Sequence, residues 1–456
     1  MTEPTASPED ASSPWGAQTE LALRHFAIGE ERMPVEWIQA LLALKGAAAA
    51  VNGRLGQLDK TLAEAIDGAC AELLERGDAM QDFPLSMWQS GSGTQSHMNV
   101  NEVVARRAER RLRDAGRDAR VHPNDDVNRG QSSNDMVPSA MHVAIVVAAQ
   151  TRLLPAIDVL SATLRAQADR HLSLVKLGRT HLQDAVPMTL GQEIGAWQSQ
   201  LLAGRRALKD ALPALHELAV GGSAVGTGLN THPLFGADVC EELSRRLGFA
   251  FSPAADRFAA LAGHEPVVAF HGALKTLAVA LAKIANDVRL LACGPRAGFA
   301  ELRLPANEPG SSIMPGKVNP TQCEALVMVC HQVIGNDLAV TLGAAAGQLQ
   351  LNTCKPLILH NTLRSLRLLT DAQNSFERHA MRELAADETR IAALLQRSLM
   401  LVTALNPHIG YDRAARIAKR AHAEGTTLRE AGVAEGLDAG DLDRWLDPAA
   451  MLGPRG

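Results

Sequence analysis

The sequence predicts an all-α protein, a central bundle of long helices with smaller helical domains at its N- and C-terminal ends. Three observations predict it. Alanine and leucine, both strong helix formers, dominate the 456 residues, while aromatic residues make up 3% and the one tyrosine is Tyr411. Apolar residues recur at helical spacing. Most clearly, Leu274, Leu277, Leu281, Ile284, Val288 and Leu291 step by three and four, a seam that would pack along a partner helix of similar length. The chain shows no strand–glycine–helix unit of the dinucleotide-binding kind and no internal repeat.

Taken in order, residues 1–14 read as a polar, disordered tail without the basic and apolar regions of a signal peptide. Helices with polar breaks are expected over about 33–76 and 99–115. The turn-rich stretch VHPNDDVNRGQSSND, 121–135, is a loop. A helical pattern follows from about Pro138 to Leu172, with Pro155 expected to kink it. KLGRTHLQDAVPMTLGQ, 176–192, reads as irregular, and a helix from about Gly191 to Leu218 comes next. GGSAVGTGLNTHP, 221–233, is a loop rich in glycine. After the seam helix comes the loop GSSIMPGKVNP, 310–320, then a helix starting near Thr321 and short helices towards the C-terminus. The expected domains are 1–131, 132–388 and 389–456.

The totals narrow the function. A net charge of −5 gives no support to a nucleic-acid or membrane role. The six cysteines form no C-x-x-C pair, which argues against zinc and iron–sulfur sites and for a reducing compartment. The longest strongly apolar run, Met141 to Ala149, falls far short of the ~20 residues of a membrane span, so a soluble, cytoplasmic protein is expected.

The 310–320 loop resembles a phosphate-binding loop only in outline. Five residues separate Gly310 from Gly316, and Val318 stands where the metal-binding Ser or Thr would follow Lys317. What remains is a Gly/Ser loop able to aim N–H groups at an anion, with a lysine beside it. An ordinary turn between helices would look much the same. GSGTQSHMN, 91–99, offers Ser92, Gly93 and Thr94, and QSSND, 131–135, offers Ser132, Ser133 and Asn134. These residue types suit either a carboxylate or a helix N-cap. His181 lies in a polar segment between long helices, which favours function over a structural role. Glu324 reads equally as a first-turn acid favoured by the helix dipole. Together these loops offer hydroxyls, amides and a few bases without a nucleophilic cysteine, a metal set or a cofactor signature. That inventory suits binding a small dicarboxylate and moving protons.

With these residues laid out, the chain resembles the fumarase/aspartase superfamily and, within it, the class II fumarases. The resemblance rests on WGAQT (15–19), GSGTQS, HPND, QSSND, GRTHLQDA, VGTGLNTHP, KIAND, NEPGSSIMPGKVNP and LMLVTALNPHIGYD, and covers the chain from about residue 15 onward. It implies reversible hydration of fumarate to L-malate without a metal or other cofactor. By the same resemblance Ser311 would remove the C3 proton of malate, and His181 with Glu324 would activate the water that adds at C2. Lys317 and Asn319 would hold a carboxylate and its carbanion form, with Val318 between them binding substrate. Ser92, Gly93, Thr94, Ser132, Ser133, Asn134, Thr180 and Ser312 would complete the dicarboxylate site, and His122, Pro123, Asn124 and Asp125 a second anion site. An assignment with His181 as the C3 base stays open, as do an ammonia-lyase such as aspartase and a non-catalytic helical scaffold. His97 stands where the family usually has asparagine, and whether it alters pH dependence near the site stays open.

One expectation needs only geometry. Ser132 and His181 flank a helical pattern of about 35 residues, roughly 50 Å long. A site using both would draw them from different subunits. The resemblance likewise implies a homotetramer with shared sites.

Overall fold

The computed structural model describes residues 13–308 and 313–453. Most of the expected disordered tail, and the candidate residues Ser311 and Ser312, lie outside these ranges. The all-α expectation is met. In chain order the α-helices are α1 (Ala17–His25), α2 (Val35–Arg54), α3 (Lys60–Glu75), α4 (Thr94–Asp114), α5 (Ser133–Ala148), α6 (Leu154–Arg170), α7 (Leu190–Ala211), α8 (Phe235–Leu247), α9 (Arg257–Ala262), α10 (Glu265–Leu291), α11 (Thr321–Ala345), α12 (Lys355–Phe376) and α13 (Glu388–Arg397). The C-terminal segment adds α14 (Asn406–Ile409), α15 (Tyr411–Glu424), α16 (Leu428–Ala434) and α17 (Ala439–Trp445).

Helix ends follow local chemistry. Asp59 caps α3 by accepting from the N–H groups of Thr61 and Leu62. α11 begins at Thr321, as expected, directly after Pro320. The helix expected from Pro138 begins five residues earlier, at Ser133, because Ser132 and Asp135 form a reciprocal capping box. Between α5 and α6 the chain widens into a π-turn, Ala149–Leu153, just ahead of Pro155, whose nitrogen has no proton for the preceding turn.

Two expectations are corrected. Residues 176–192 are not irregular: they contain an antiparallel hairpin of β1 (Val175–Thr180) and β2 (Gln183–Thr189). And α7 stops at Ala211, ahead of Pro213, leaving a short 3-10 turn before Leu218.

By compactness the chain forms two interleaved units. One comprises residues 1–155, 205–278 and 331–370. Its centre is α2, buried on nearly all sides, with Trp37, Leu41 and Leu44 fully enclosed against α3, α5 and α8. The N–H groups that open α1 are met by Glu102 of α4, which accepts from Gly16, Gln18 and Thr19 at 2.9–3.1 Å and from the Thr19 hydroxyl at 2.6 Å. That explains the fixed place of the WGAQT stretch. The second unit comprises 156–204, 279–330 and 371–456. In it, Leu177 of β1 inserts into a cluster with Leu395, Leu405, Ile417, Leu428 and Leu442, seating the hairpin on the C-terminal helices.

The expectation that no segment approaches membrane length is also corrected. Residues 133–170, 265–291 and 321–345 are long and apolar enough to cross a membrane, each holding an 18-residue stretch with a mean hydropathy of 1.7, 1.6 and 1.4 respectively. Scattered polar residues break their apolar runs, so a search for uninterrupted stretches passes them over. The α10 seam explains much of its own apolar character: all six seam residues are between 0 and 6% exposed.

Candidate active site

Two groups of side chains stand out, one in each unit. In the first, the turn before α4 is shaped by glycine. The carbonyl of Gly91 accepts from the Lys355 N–H at 2.9 Å, and a Cβ on Gly91 would sit 1.4 Å from the Thr353 carbonyl oxygen, so only glycine fits. Gly93 adopts φ 77 and offers no side chain to cap α4. Gln89 does so instead, accepting from the Ser96 N–H at 2.9 Å and donating to its hydroxyl at 2.7 Å.

This turn sets a line of hydroxyls. Ser90 and Ser92 are 2.8 Å apart, Ser92 and Thr94 2.7 Å, and Thr94 reaches Ser133 at 3.2 Å. Thus Ser92, Thr94 and Ser133, picked from separate stretches of sequence, come together, joined by Ser90, which the sequence did not single out. Ser132 does act as an N-cap, accepting from the Asn134 N–H at 3.2 Å. The Asn134 amide donates to the Ala224 carbonyl at 2.8 Å, tying the turn to the glycine-rich loop. The hydroxyls lie at the N-terminal ends of α4 and α5, where backbone N–H groups and the helix dipole favour an anion.

The same unit buries ionisable groups, among them Asp135 and Lys45, which sequence reasoning missed. Asp135 is fully buried and accepts from the N–H groups of Ser132 at 2.9 Å and of Gly221 and Ser223 at 3.0 Å. Burial pushes its carboxyl up to about 6, against the pull of these donors and of Lys45. Lys45, also fully buried, donates to Asn128 at 2.8 Å, and burial pushes it down to about 7. His97 is 1% exposed, and burial, helped by the Lys45 charge, holds it well below the ordinary histidine range.

In the second unit, His181 and Leu182 form the two-residue tip of the β1–β2 hairpin, with φ 55 and φ 61. Left-handed backbone at both tip positions is usually taken by Asn-Gly, and His-Leu there is strained. The tip, including Thr180, is solvent-exposed. So are Lys317, Val318, Asn319 and Glu324. The described part of the 310–320 loop turns through Gly316, φ 81, with the Lys317 N–H donating to the Met314 carbonyl at 3.2 Å. Among the described residues, the side chains of His181, Lys317, Asn319 and Glu324 make no hydrogen bond or ion pair with one another.

His122, Pro123, Asn124 and Asp125 lie on one exposed turn. The His122 Nδ1 accepts from the N–H groups of Asn124 and Asp125 at 3.3 and 3.1 Å. Asp125 stands 3.3 Å from the same Nδ1.

Comparison with known proteins places these groups in context. A family profile described as Lyase matches residues 7–335, and one described as Fumarase C C-terminus matches 401–453. The class II fumarate hydratase of Chromobacterium violaceum is 58% identical over 446 residues, 97% of this chain and 96% of that protein. A class II fumarate hydratase of Pseudomonas aeruginosa is 56% identical over 447 residues, 98% of this chain and 96% of that protein. Among solved structures, the class II fumarase of Schistosoma mansoni superposes with a TM-score of 0.93 at 42% identity, covering 98% of this chain and 97% of that one.

Proposed function

The chain belongs to the class II fumarate hydratases and is an iron-independent hydro-lyase that interconverts fumarate and L-malate; we propose the following roles for its residues. Ser311 removes the C3 proton of malate. The pair of electrons left behind moves into the adjacent carboxylate, which gains a second negative charge. Lys317 and Asn319 meet that charge as it develops, so they bind the transition state more tightly than the ground state. His181, with Glu324, gives a proton to the departing C2 hydroxyl, and in the hydration direction takes one from the attacking water. Ser92, Gly93, Thr94, Ser132, Ser133, Asn134, Thr180, Ser312 and Val318 bind the dicarboxylate.

What supports this reading most is the hydroxyl line Ser92–Thr94–Ser133 at two helix N-termini, an anion cradle offered by a chain of this family. His122, Pro123, Asn124 and Asp125 we assign to a second anion site. We also retain domain limits at 131/132 and 388/389, supported by the Ser132 and Asp387 caps just there. The reaction belongs in the tricarboxylic acid cycle of the cytoplasm. All six cysteines are free, as suits a reducing compartment.

The experiment is to follow loss of fumarate's ultraviolet absorbance with and without ammonium. Consumption without ammonium, giving malate, is expected. Turnover that requires ammonium would make the chain an ammonia-lyase instead.

We further propose a homotetramer whose sites combine Ser132–Asn134 of one subunit with His181 of another. The helical pattern of about 35 residues between the two stretches, read from the sequence, supports this arrangement. On α11, Met328, Leu338 and Leu342 are 66, 62 and 62% exposed, an apolar face suited to another copy. Mixing His181→Asn and Asn134→Ala proteins under subunit exchange should restore about a quarter of the sites, since each needs two independently intact subunits. No recovery after confirmed exchange would count against shared sites.

A further inference from the structure

We propose that Glu301 is a positioning residue for the reaction: it anchors β1 through Lys176 and Arg179 and so fixes His181 at the hairpin tip. This rests on the reading of His181 as the group that handles the C2 water.

Glu301 is completely buried. Its own backbone is held on both sides, the N–H donating to the Leu291 carbonyl and the carbonyl accepting from the Asp387 N–H, each at 2.9 Å. The carboxylate therefore projects from a fixed segment. One oxygen lies 2.9 Å from the Lys176 Nζ and the other 2.8 Å from a terminal nitrogen of Arg179. Lys176 has a side chain only 1% exposed and also pairs with Glu193 at 2.6 Å. Arg179 is further held by stacking 4.2 Å over the Phe299 ring. Two cations and two carboxylates thus form a charge-balanced row of ion pairs, Glu193–Lys176–Glu301–Arg179, along the hairpin.

The strand geometry serves this cluster. Lys176 and Arg179 are three residues apart, and on a regular strand they would point to opposite faces. At this point the ladder is irregular: Gly178 faces Ala185 and Val186 together, a bulge that increases local twist. Both cations nonetheless reach the one carboxylate. A Cβ on Gly178 would meet the Val186 carbonyl oxygen at 2.8 Å, so the bulge needs glycine.

Arg179 is two residues from His181, whose left-handed backbone persists only if its surroundings over-determine it. Leu177 grips the hairpin from one side through the C-terminal cluster. Glu301 grips it through charge. Without Glu301 the cluster carries an excess buried positive charge, which must move towards water and take the strand with it.

The test compares Glu301→Gln in the wild-type and His181→Asn backgrounds, reading kcat and KM for malate and the rate at which diethyl pyrocarbonate modifies His181. Expected is a fall in kcat of about tenfold or more with KM changed far less, because misplacing a catalytic group costs turnover before binding. In the His181→Asn background the same change should add nothing. His181 modification should speed up several-fold. Arg179→Lys, which keeps the charge but removes the fork and the ring stack, should lower kcat in the same direction and covers the case in which Glu301→Gln fails to fold. Unchanged kcat, or an equal fall in both backgrounds, overturns the proposal. If His181→Asn proves fully active, the reading of His181 fails instead. The anchoring is then judged by the modification rate alone, and an unchanged rate in Glu301→Gln overturns it.

Discussion

Ser311→Ala is expected to lower kcat for malate dehydration by roughly 10³-fold or more, with a much smaller change in KM. The C3 hydrogen lies beside a carboxylate and is only weakly acidic, so its removal is the demanding step. A positioned base is commonly worth 10²–10⁴-fold, and a base on the demanding step sits at the upper end. Serine is a poor base unless its alkoxide is stabilised. The sequence around it supplies for that purpose the glycine N–H groups of the loop and Lys317. Alanine removes one oxygen and leaves untouched the hydroxyls Ser92, Thr94 and Ser133 that we propose bind the carboxylate, so substrate should still bind. Steady-state kinetics with a native-mass check reads the result, and a variant within a few-fold of wild type would remove Ser311 from the chemistry.

The second large effect is His181→Asn, expected to lower kcat about 10²- to 10⁴-fold. The choice of asparagine matters. Position 181 has φ 55, where asparagine is among the most tolerant residues other than glycine. The substitution therefore relieves backbone strain while removing the imidazole, and a loss of activity cannot be blamed on a collapsed turn. A melting temperature equal to or above that of wild type is expected alongside the lost turnover. If turnover stays high, water activation must fall to Glu324 or another group.

These two residues also show how differently sequence informs fold and site. The α10 seam was legible because burial follows helical spacing: the residues read as one face are the ones enclosed. The start of α11 after Pro320 was legible for equally local reasons. The β1–β2 hairpin was not. Gly178 and Pro187 interrupt its alternation, its tip lacks the usual Asn-Gly, and what holds it is distant: Leu177 among the C-terminal helices and Glu301 well over a hundred residues along the chain. Ser92, Thr94 and Ser133 were legible as residue types, but the line they form depends on Ser90 and on a glycine packed against the Thr353 carbonyl. The burial of His97 was not legible, because sequence shows its neighbours in the chain and not its surroundings. The buried ion-bearing residues Asp135 and Lys45 gave no signal, since each is one charge within an otherwise ordinary helix.

The assignment of the C3 base to Ser311 and of C2–oxygen chemistry to His181 can be separated by isotope exchange. L-malate is incubated in deuterium oxide with each variant, and deuterium at C3 of recovered malate is compared with fumarate formed. With His181→Asn, the C3 proton should still leave and return while departure of the hydroxyl is slowed. Deuterium should therefore enter malate faster than fumarate appears, whereas Ser311→Ala should give neither. Deuterium gain with Ser311→Ala and none with His181→Asn would contradict the assignment and make His181 the base.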